Sequence, residues 1–132
     1  MLIHFYRFVD KLKNNPARRD KRIYLPAIIS LVINLLLWGF LYFQFNKILN
    51  ASPGTTTLPL HYNVFFGIDL YAKWYRIFVL PGIGLLILSF NFVIAQLIYS
   101  HKQILSYFLI LTALICQLAL VTAGFLIVII NL

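Results

Sequence analysis

The sequence predicts an all-α integral membrane protein with three transmembrane helices, an N-terminal amphipathic helix and a partly ordered outer loop. Its composition excludes an ordinary soluble domain. Of the 132 residues, 62% are hydrophobic and only 11% are charged, whereas soluble domains have about 45–50% apolar and about 25% charged residues. Three long uncharged runs divide the chain. The net charge of +8 is concentrated before the first run, as expected of a chain that is oriented across a bilayer.

Residues 1–22 form a basic leader, which we expect to be cytoplasmic. Its first part is amphipathic in a helix, with an apolar side made of Leu2, Phe5, Phe8, Val9 and Leu12. A basic cluster lies directly before the first apolar run and consists of Arg18, Arg19, Lys21 and Arg22. This positive charge sets the orientation of the first helix, binds anionic lipid headgroups, or does both. We do not expect nucleic-acid binding, because no binding fold accompanies the basic residues.

Residues 23–132 form the predicted membrane domain. Each uncharged run is long enough to cross a hydrocarbon core of about 30 Å as a helix that rises about 1.5 Å per residue. The first run is too long for a cleavable signal peptide, whose apolar core has about 7–15 residues, and it is therefore predicted to be a retained signal anchor. The predicted spans are residues 23–45, 77–99 and 104–130, with an outer loop at 46–76.

Pro81 lies near the start of the second run. Proline disrupts a helix interior but is tolerated in a first turn, so we expect it either to kink the second helix or to mark the point where that helix starts. In the second case, residues 70–80 form a separate short helix near the outer membrane surface. The turn at residues 100–103 is so short that the second and third helices must be antiparallel neighbours.

The distribution of Lys and Arg predicts the orientation. Seven of these residues lie in the leader, whereas the 46–76 loop has three. The positive-inside rule then places the N-terminus and the 100–103 turn in the cytoplasm, and the 46–76 loop and the C-terminus outside. We expect the chain to lie in the inner (plasma) membrane of a bacterium, in contact with anionic lipids.

Amides and hydroxyls are the notable polar groups of the predicted spans, which contain no charged residue. Those nearest the middle of their spans are Asn34, Ser89, Asn91 and Gln117. A polar group without a partner is costly in hydrocarbon, so we predict an intramembrane polar cluster that bonds across helices. The alternative is a path for a polar ligand or an ion. Such a path would need an oligomer, because three helices enclose little space.

The outer loop has the most distinctive sequence of the chain. It carries His61 and Asp69 among apolar and aromatic residues. We predict that it folds back as a lid on the bundle and buries Leu60, Phe65 and Phe66, and that the His and Asp side chains lock it. Asp69 could instead cap a following helix, and the segment could be a partner-binding surface. One His and one Asp fall short of the three or four ligands of a metal site, so no metal is expected.

The motif in this loop resembles that of a known family. Its residues are Pro59, His61, Asn63, Gly67 and Asp69, followed by Lys73 and an apolar span. The motif is similar to that of a small bacterial membrane module of unknown function, which also occurs at the front of the immunity proteins against the sporulation-delaying toxin. There too, the motif lies between two transmembrane helices. The resemblance implies a membrane protein with an immunity-like role, and it assigns no catalytic chemistry.

The chain contains no recognisable catalytic or cofactor-binding pattern. It has only three acidic residues, and it shows no nucleophile–base pair, phosphate-binding loop or haem motif. We therefore predict a small non-enzymatic membrane protein that acts through protein or lipid contacts, in an accessory, envelope-stress or immunity-like role. We expect its partner to be another membrane protein or a second copy of the chain. The alternatives are a holin- or toxin-like permeabilising protein and an oligomeric channel for small solutes.

Overall fold

The computed structural model describes Tyr6, residues 16–51, Gly54 and residues 57–132. It is 77% helical, and three of its helices are long and apolar enough to cross a membrane, which supports a membrane location. The elements in chain order are a 3₁₀ helix at Pro16–Arg19, helix α1 at Lys21–Ala51, strand β1 at Thr57–Asn63, strand β2 at Gly67–Lys73, a second 3₁₀ helix at Trp74–Phe78, helix α2 at Val79–Ile98 and helix α3 at Gln103–Ile129. The amphipathic helix predicted for residues 1–14 lies outside the described residues, except for Tyr6.

The prediction of an all-α protein is wrong in one respect, because the outer loop contains a two-stranded antiparallel sheet. Strands β1 and β2 form a hairpin between α1 and the second 3₁₀ helix. Two strands alone are barely stable in water and need packing against another element. Here Leu58, Leu60 and Ala72 supply that packing, since all three are buried in a cluster with residues of α1 and α3.

Helix α1 is longer than the predicted span. It has 31 residues and therefore a length of about 46 Å, which exceeds the hydrocarbon core of about 30 Å. It begins at Lys21, inside the predicted leader, and ends at Ala51, inside the predicted loop. Its last turns continue because Ile48 and Leu49 pack against the cluster beneath the hairpin. The predicted ends of this span were placed where the uncharged run stops. The helix continues past its predicted C-terminal end because residues beyond that run pack against protein.

Pro81 lies in the first turn of α2, two residues after Val79. A missing N–H costs nothing at that position, because the first N–H groups of a helix have no partner within it. Of the two alternatives, Pro81 therefore marks the start of the helix. The preceding short helix is the 3₁₀ turn at Trp74–Phe78, and residues 70–73 belong to β2 rather than to that helix.

Each of the three helices runs antiparallel to the one before it in the chain. Their buried apolar side chains form two clusters, one near each end of the bundle. One cluster joins α1, the hairpin and the end of α3. The other joins the start of α1 to Ala95, Tyr99 and Ile110 at the opposite end. Beside it, Ser106 Oγ donates a hydrogen bond of 2.9 Å to the Ala95 carbonyl and ties α3 to α2. The hairpin and the basic residues therefore lie at opposite ends of the bundle.

Candidate functional site

The hairpin pairs Thr57 with Lys73 at its base and Asn63 with Gly67 at its turn. Pairing shifts near the middle of the hairpin, between Pro59 and Tyr62. Proline has no N–H to donate to a neighbouring strand. Such irregularities twist a strand and change which face a side chain occupies. All five residues of the loop motif lie in this hairpin.

His61 and Asp69 meet across the two strands. The His61 Nδ1 and Asp69 Oδ1 atoms are 2.6 Å apart, and the two side chains are 61% and 38% exposed. The predicted side-chain contact is therefore present. The alternative role of Asp69 as a helix cap is wrong, because Asp69 lies inside β2 and Lys73 is the residue that precedes the next helix.

Two hydrogen bonds and one glycine conformation shape the hairpin further. Asn63 Oδ1 accepts a hydrogen bond of 2.9 Å from the Phe65 N–H and thereby closes the turn. Gly67 has a φ of +74°, a conformation that costs other residues a steric penalty. At the other end, Asn131 Nδ2 donates to the Pro59 carbonyl at 2.7 Å. This bond fastens β1 to the end of α3.

The predicted burial of the loop is only partly correct. Leu60 is 8% exposed, but Phe65 and Phe66 are 89% and 82% exposed. The two phenylalanines lie in the turn between the strands, and their exposure means that they do not pack on the bundle. The hairpin therefore covers the helix ends with its base and displays apolar side chains at its turn.

Two of the four polar residues predicted at mid-span contact each other. Asn34 Nδ2 donates to Gln117 Oε1 at 3.0 Å and to the Pro81 carbonyl at 2.9 Å. Gln117 Nε2 donates to the Gly84 carbonyl at 2.7 Å. Both amide side chains are fully buried, so together they tie α1, α2 and α3 at one level. The contact requires a glycine, because a Cβ at position 84 would lie 2.6 Å from Asn34 Nδ2.

Ser89 and Asn91 are not part of this contact, so that part of the predicted cluster is wrong. Ser89 is exposed, and its hydroxyl donates to the Leu85 carbonyl of its own helix at 2.8 Å. Asn91 is half-buried and lies seven residues, or about 10 Å, along α2 from Gly84. A place near the middle of a span therefore did not imply contact. Asn91 lies about two turns from the level of the amide contact, and Ser89 lies on another side of α2 than Gly84, because the helix rotates by about 100° per residue.

The predicted basic cluster is exposed at the opposite end of the bundle. Arg18 and Arg19 belong to the first 3₁₀ helix, and Lys21 and Arg22 form the first turn of α1. All four side chains are accessible to solvent or to lipid headgroups. They surround Asp20, whose role the sequence reasoning missed.

Asp20 joins the start of α1 to the other two helices. Its Oδ1 accepts the Arg22 N–H at 2.9 Å, which is an N-cap contact. Its Oδ2 accepts the hydroxyl hydrogens of Tyr107 at 2.6 Å and Tyr99 at 2.7 Å. The hydrogen bonds from Tyr107 and then Tyr99 lower the pKa of Asp20 below its usual range, because they stabilise the ionised form.

The same contact raises the pKa of Tyr99, chiefly because its hydroxyl proton is bound by the Asp20 carboxylate. One signal for Asp20 was present in the sequence, since Asp directly before an apolar run is a favoured N-cap. The two tyrosines gave no such signal. At span ends, tyrosines are expected for interfacial reasons alone.

The described part of the chain contains no cluster of three or more His, Cys, Asp or Glu side chains that could hold a metal ion. Its notable features are the hairpin, the buried amide pair and the Asp20 contact. No family model, curated protein or solved structure matches the chain.

Proposed function

We propose that this chain is a small non-enzymatic membrane protein of bacteria that acts by contact with another membrane protein, in an accessory, envelope-stress or immunity-like role. The observation that carries the proposal is the folded hairpin. A short, irregular two-stranded element is fastened to the bundle by buried side chains and by the Asn131–Pro59 hydrogen bond. Its other face is left exposed.

The exposed face of the hairpin has the chemistry of a recognition surface. Tyr71 is 60% exposed and directly precedes the buried Ala72, so strand alternation directs it away from the bundle. The His61–Asp69 pair is exposed on the same element. Aromatic side chains are common in protein interfaces, because they bury a large area and lose little rotational freedom. The resemblance of the loop motif to toxin-immunity proteins also favours recognition.

We infer that the chain lies in the inner membrane with its N-terminus in the cytoplasm and the hairpin and C-terminus outside, and that α1 is a signal anchor. The distribution of positive charge supports this orientation. The basic end would then contact anionic headgroups on the cytoplasmic side through Arg18, Arg19, Lys21 and Arg22.

Cysteine labelling in spheroplasts tests the orientation. In a Cys116→Ser background, Thr57→Cys should react with an impermeant maleimide from outside, and Ser100→Cys should react only after the membrane is opened. Both positions are exposed, so they form a matched pair. The reverse labelling pattern would show that the orientation is wrong.

Photo-crosslinking in living cells tests the contact function. A photoreactive phenylalanine at position 71 should give one dominant adduct with a membrane protein, and that protein should co-purify with the unmodified chain in mild detergent. Position 90 is the control, because Phe90 is 69% exposed on α2 and should face lipid. Equal adduct patterns at the two positions would contradict recognition by the hairpin.

The two alternative functions predict other results. A holin- or toxin-like protein would depolarise the membrane rapidly on controlled overexpression, as a potential-sensitive dye would report, and this result would contradict our proposal.

A solute channel would need polar side chains that face a path. Asn34 and Gln117 are instead buried and bonded within one chain, an arrangement that favours a structural role.

A further inference from the structure

We propose that the turn of the hairpin, residues 64–66, inserts into the surface of the bilayer that the three helices cross. We call these residues the hairpin tip. Val64, Phe65 and Phe66 are 83%, 89% and 82% exposed. This inference goes beyond the proposed function, since it concerns the lipid that holds the hairpin and not the partner that the hairpin contacts.

The position of β1 directs the tip towards lipid. A cleft of about 320 Å³ separates β1 from α3 and is lined by Tyr62 on one side and by Ala123 and Leu126 on the other. Leu126 and Ile129 are 59% and 60% exposed on the flank of α3, inside the segment that is apolar enough to cross a membrane. The end of β1 therefore passes beside the lipid-facing flank of α3, and the tip continues from there.

The charge pattern of the hairpin supports the same location. Residues 62–68 contain no charged side chain. The nearest ionisable side chains are those of the His61–Asp69 pair, which contact each other at 2.6 Å. The half of the hairpin beyond this pair is neutral, apolar and aromatic, which is the composition of segments that lie at a membrane interface.

The backbone of the tip restricts the depth of insertion. One N–H of the turn, that of Phe65, is bonded to the Asn63 side chain. A turn cannot bond all of its other polar groups internally, and open backbone is not tolerated in the hydrocarbon core. The tip is therefore expected at the level of the headgroups and upper acyl chains, where its aromatic rings reach lipid and its backbone still reaches water.

Fluorescence quenching in vesicles tests this location. The full chain with Trp38→Phe and Trp74→Phe would carry Phe65→Trp as its one tryptophan. It would be reconstituted in vesicles of phosphatidylcholine and phosphatidylglycerol, with bromine on the acyl chains at a shallow or a deep position. The matched control is Tyr71→Trp on the outward face of the same hairpin. Phe66→Trp provides a second reporter in case Phe65→Trp perturbs the fold, and circular dichroism checks the helix content of each variant.

We expect the emission of Phe65→Trp to be shifted to the blue relative to Tyr71→Trp. Shallow bromine should quench it several-fold more strongly than it quenches the control, and deep bromine should quench it less than shallow bromine does. Quenching of both tip reporters by aqueous iodide, with no effect of bromine, would overturn the proposal and leave the tip in water. Protection from both quenchers that disappears as the protein is diluted in lipid would also overturn it, because a second copy would then cover the tip.

Discussion

The buried Asn34–Gln117 pair and the exposed His61–Asp69 pair show how differently two polar contacts can behave in one small protein. The amides are 83 residues apart in sequence, and both are fully buried between three helices. The His and Asp are eight residues apart, and their side chains are 61% and 38% exposed. A buried polar group that loses its partner has no water to replace it, whereas an exposed one does.

The Asp20 contact lies between these two extremes. Asp20 is half-buried at the end of the bundle, and its carboxylate accepts hydrogen bonds from a backbone N–H and from two tyrosines. The three contacts therefore form a series from full burial to exposure. If burial decides their contribution to stability, substitutions should have effects in the same order.

The largest effect is expected for Gly84→Ala. The added Cβ would lie 2.6 Å from Asn34 Nδ2 and 2.8 Å from Gln117 Oε1, so the amides would have to separate. Overpacking of a core costs about 1–3 kcal/mol, and we expect about 3 kcal/mol because the amide contact is lost as well. Unfolding in mixed detergent micelles, followed by tryptophan fluorescence, measures the change.

Gly82→Ala is the matched control for this substitution. It lies in the same helix, and an added Cβ there would meet no atom within 4 Å. It should be neutral or stabilise the protein by up to about 1 kcal/mol. If both variants lose the same stability, the close approach of the amides to α2 is not the cause.

A smaller effect is expected for Asp20→Ala, which removes both the cap of α1 and the acceptor of two tyrosine hydroxyls. Loss of an N-cap costs about 1 kcal/mol, and a hydrogen bond to a charged group contributes about 1.5 kcal/mol or more. We expect a total loss of about 2 kcal/mol in the same unfolding experiment. Asp20→Asn should cost less, because Asn is also a good cap. Equal losses in the two variants would mean that an uncharged amide replaces none of these contacts, so that the contribution of Asp20 depends on its carboxylate charge.

The Asp20 contact should also make stability depend on pH. The pKa of Asp20 is lowered in the folded state, so the unfolded chain binds a proton more readily in acid. The contribution of this contact is complete above the ordinary pKa of 3.8 and decreases as the pH falls through the folded value. Thermal unfolding of the wild type in detergent should show this loss below about pH 4. The same acid loss in Asp20→Asn would assign it to another group.

The two buried amides should be coupled energetically. Asn34→Leu and Gln117→Leu should each lower stability, and their combined effect should be smaller than the sum, with a coupling energy of about 0.6–2 kcal/mol. Asn91→Leu is the control, because Asn91 lies two turns along α2 from Gly84, and it should combine additively with Gln117→Leu. A double-mutant cycle in detergent measures these coupling energies. If Asn91 were coupled to Gln117 as strongly as Asn34 is, the polar cluster would include Asn91 after all.

The smallest effect on global stability is expected for His61→Ala. Exposed ion pairs contribute about 0–1 kcal/mol, and the base of the hairpin remains held by its buried residues. Local order should change more, so residues 57–69 should be cut faster by an external protease. Asp69→Asn should act similarly, and the double variant should be no worse than either single one. Wild-type protease resistance in His61→Ala would show that the pair does not hold the hairpin.

Composition and the length of the apolar runs were enough to predict three helices of membrane-spanning length, because hydrocarbon accepts only a backbone that bonds to itself. Local spacing also predicted the contact of His61 with Asp69, since a short loop with Gly67 in its turn can bring two nearby strands together. These properties depend on residues that are close in sequence. They required no knowledge of how the helices rotate against one another.

Contacts between distant segments were decided only by the tertiary structure. Of the mid-span polar residues, Asn34 and Gln117 meet at the level of Gly84, whose missing Cβ leaves room for them. Asn91 does not meet them, because it lies two turns farther along α2. Asp20 finds Tyr99 and Tyr107 because the start of α1 packs beside the turn between α2 and α3. The exposure of Phe65 and Phe66 has the same origin. The sequence of an apolar segment determines that the segment avoids water. The positions of the neighbouring elements determine whether protein or lipid surrounds it.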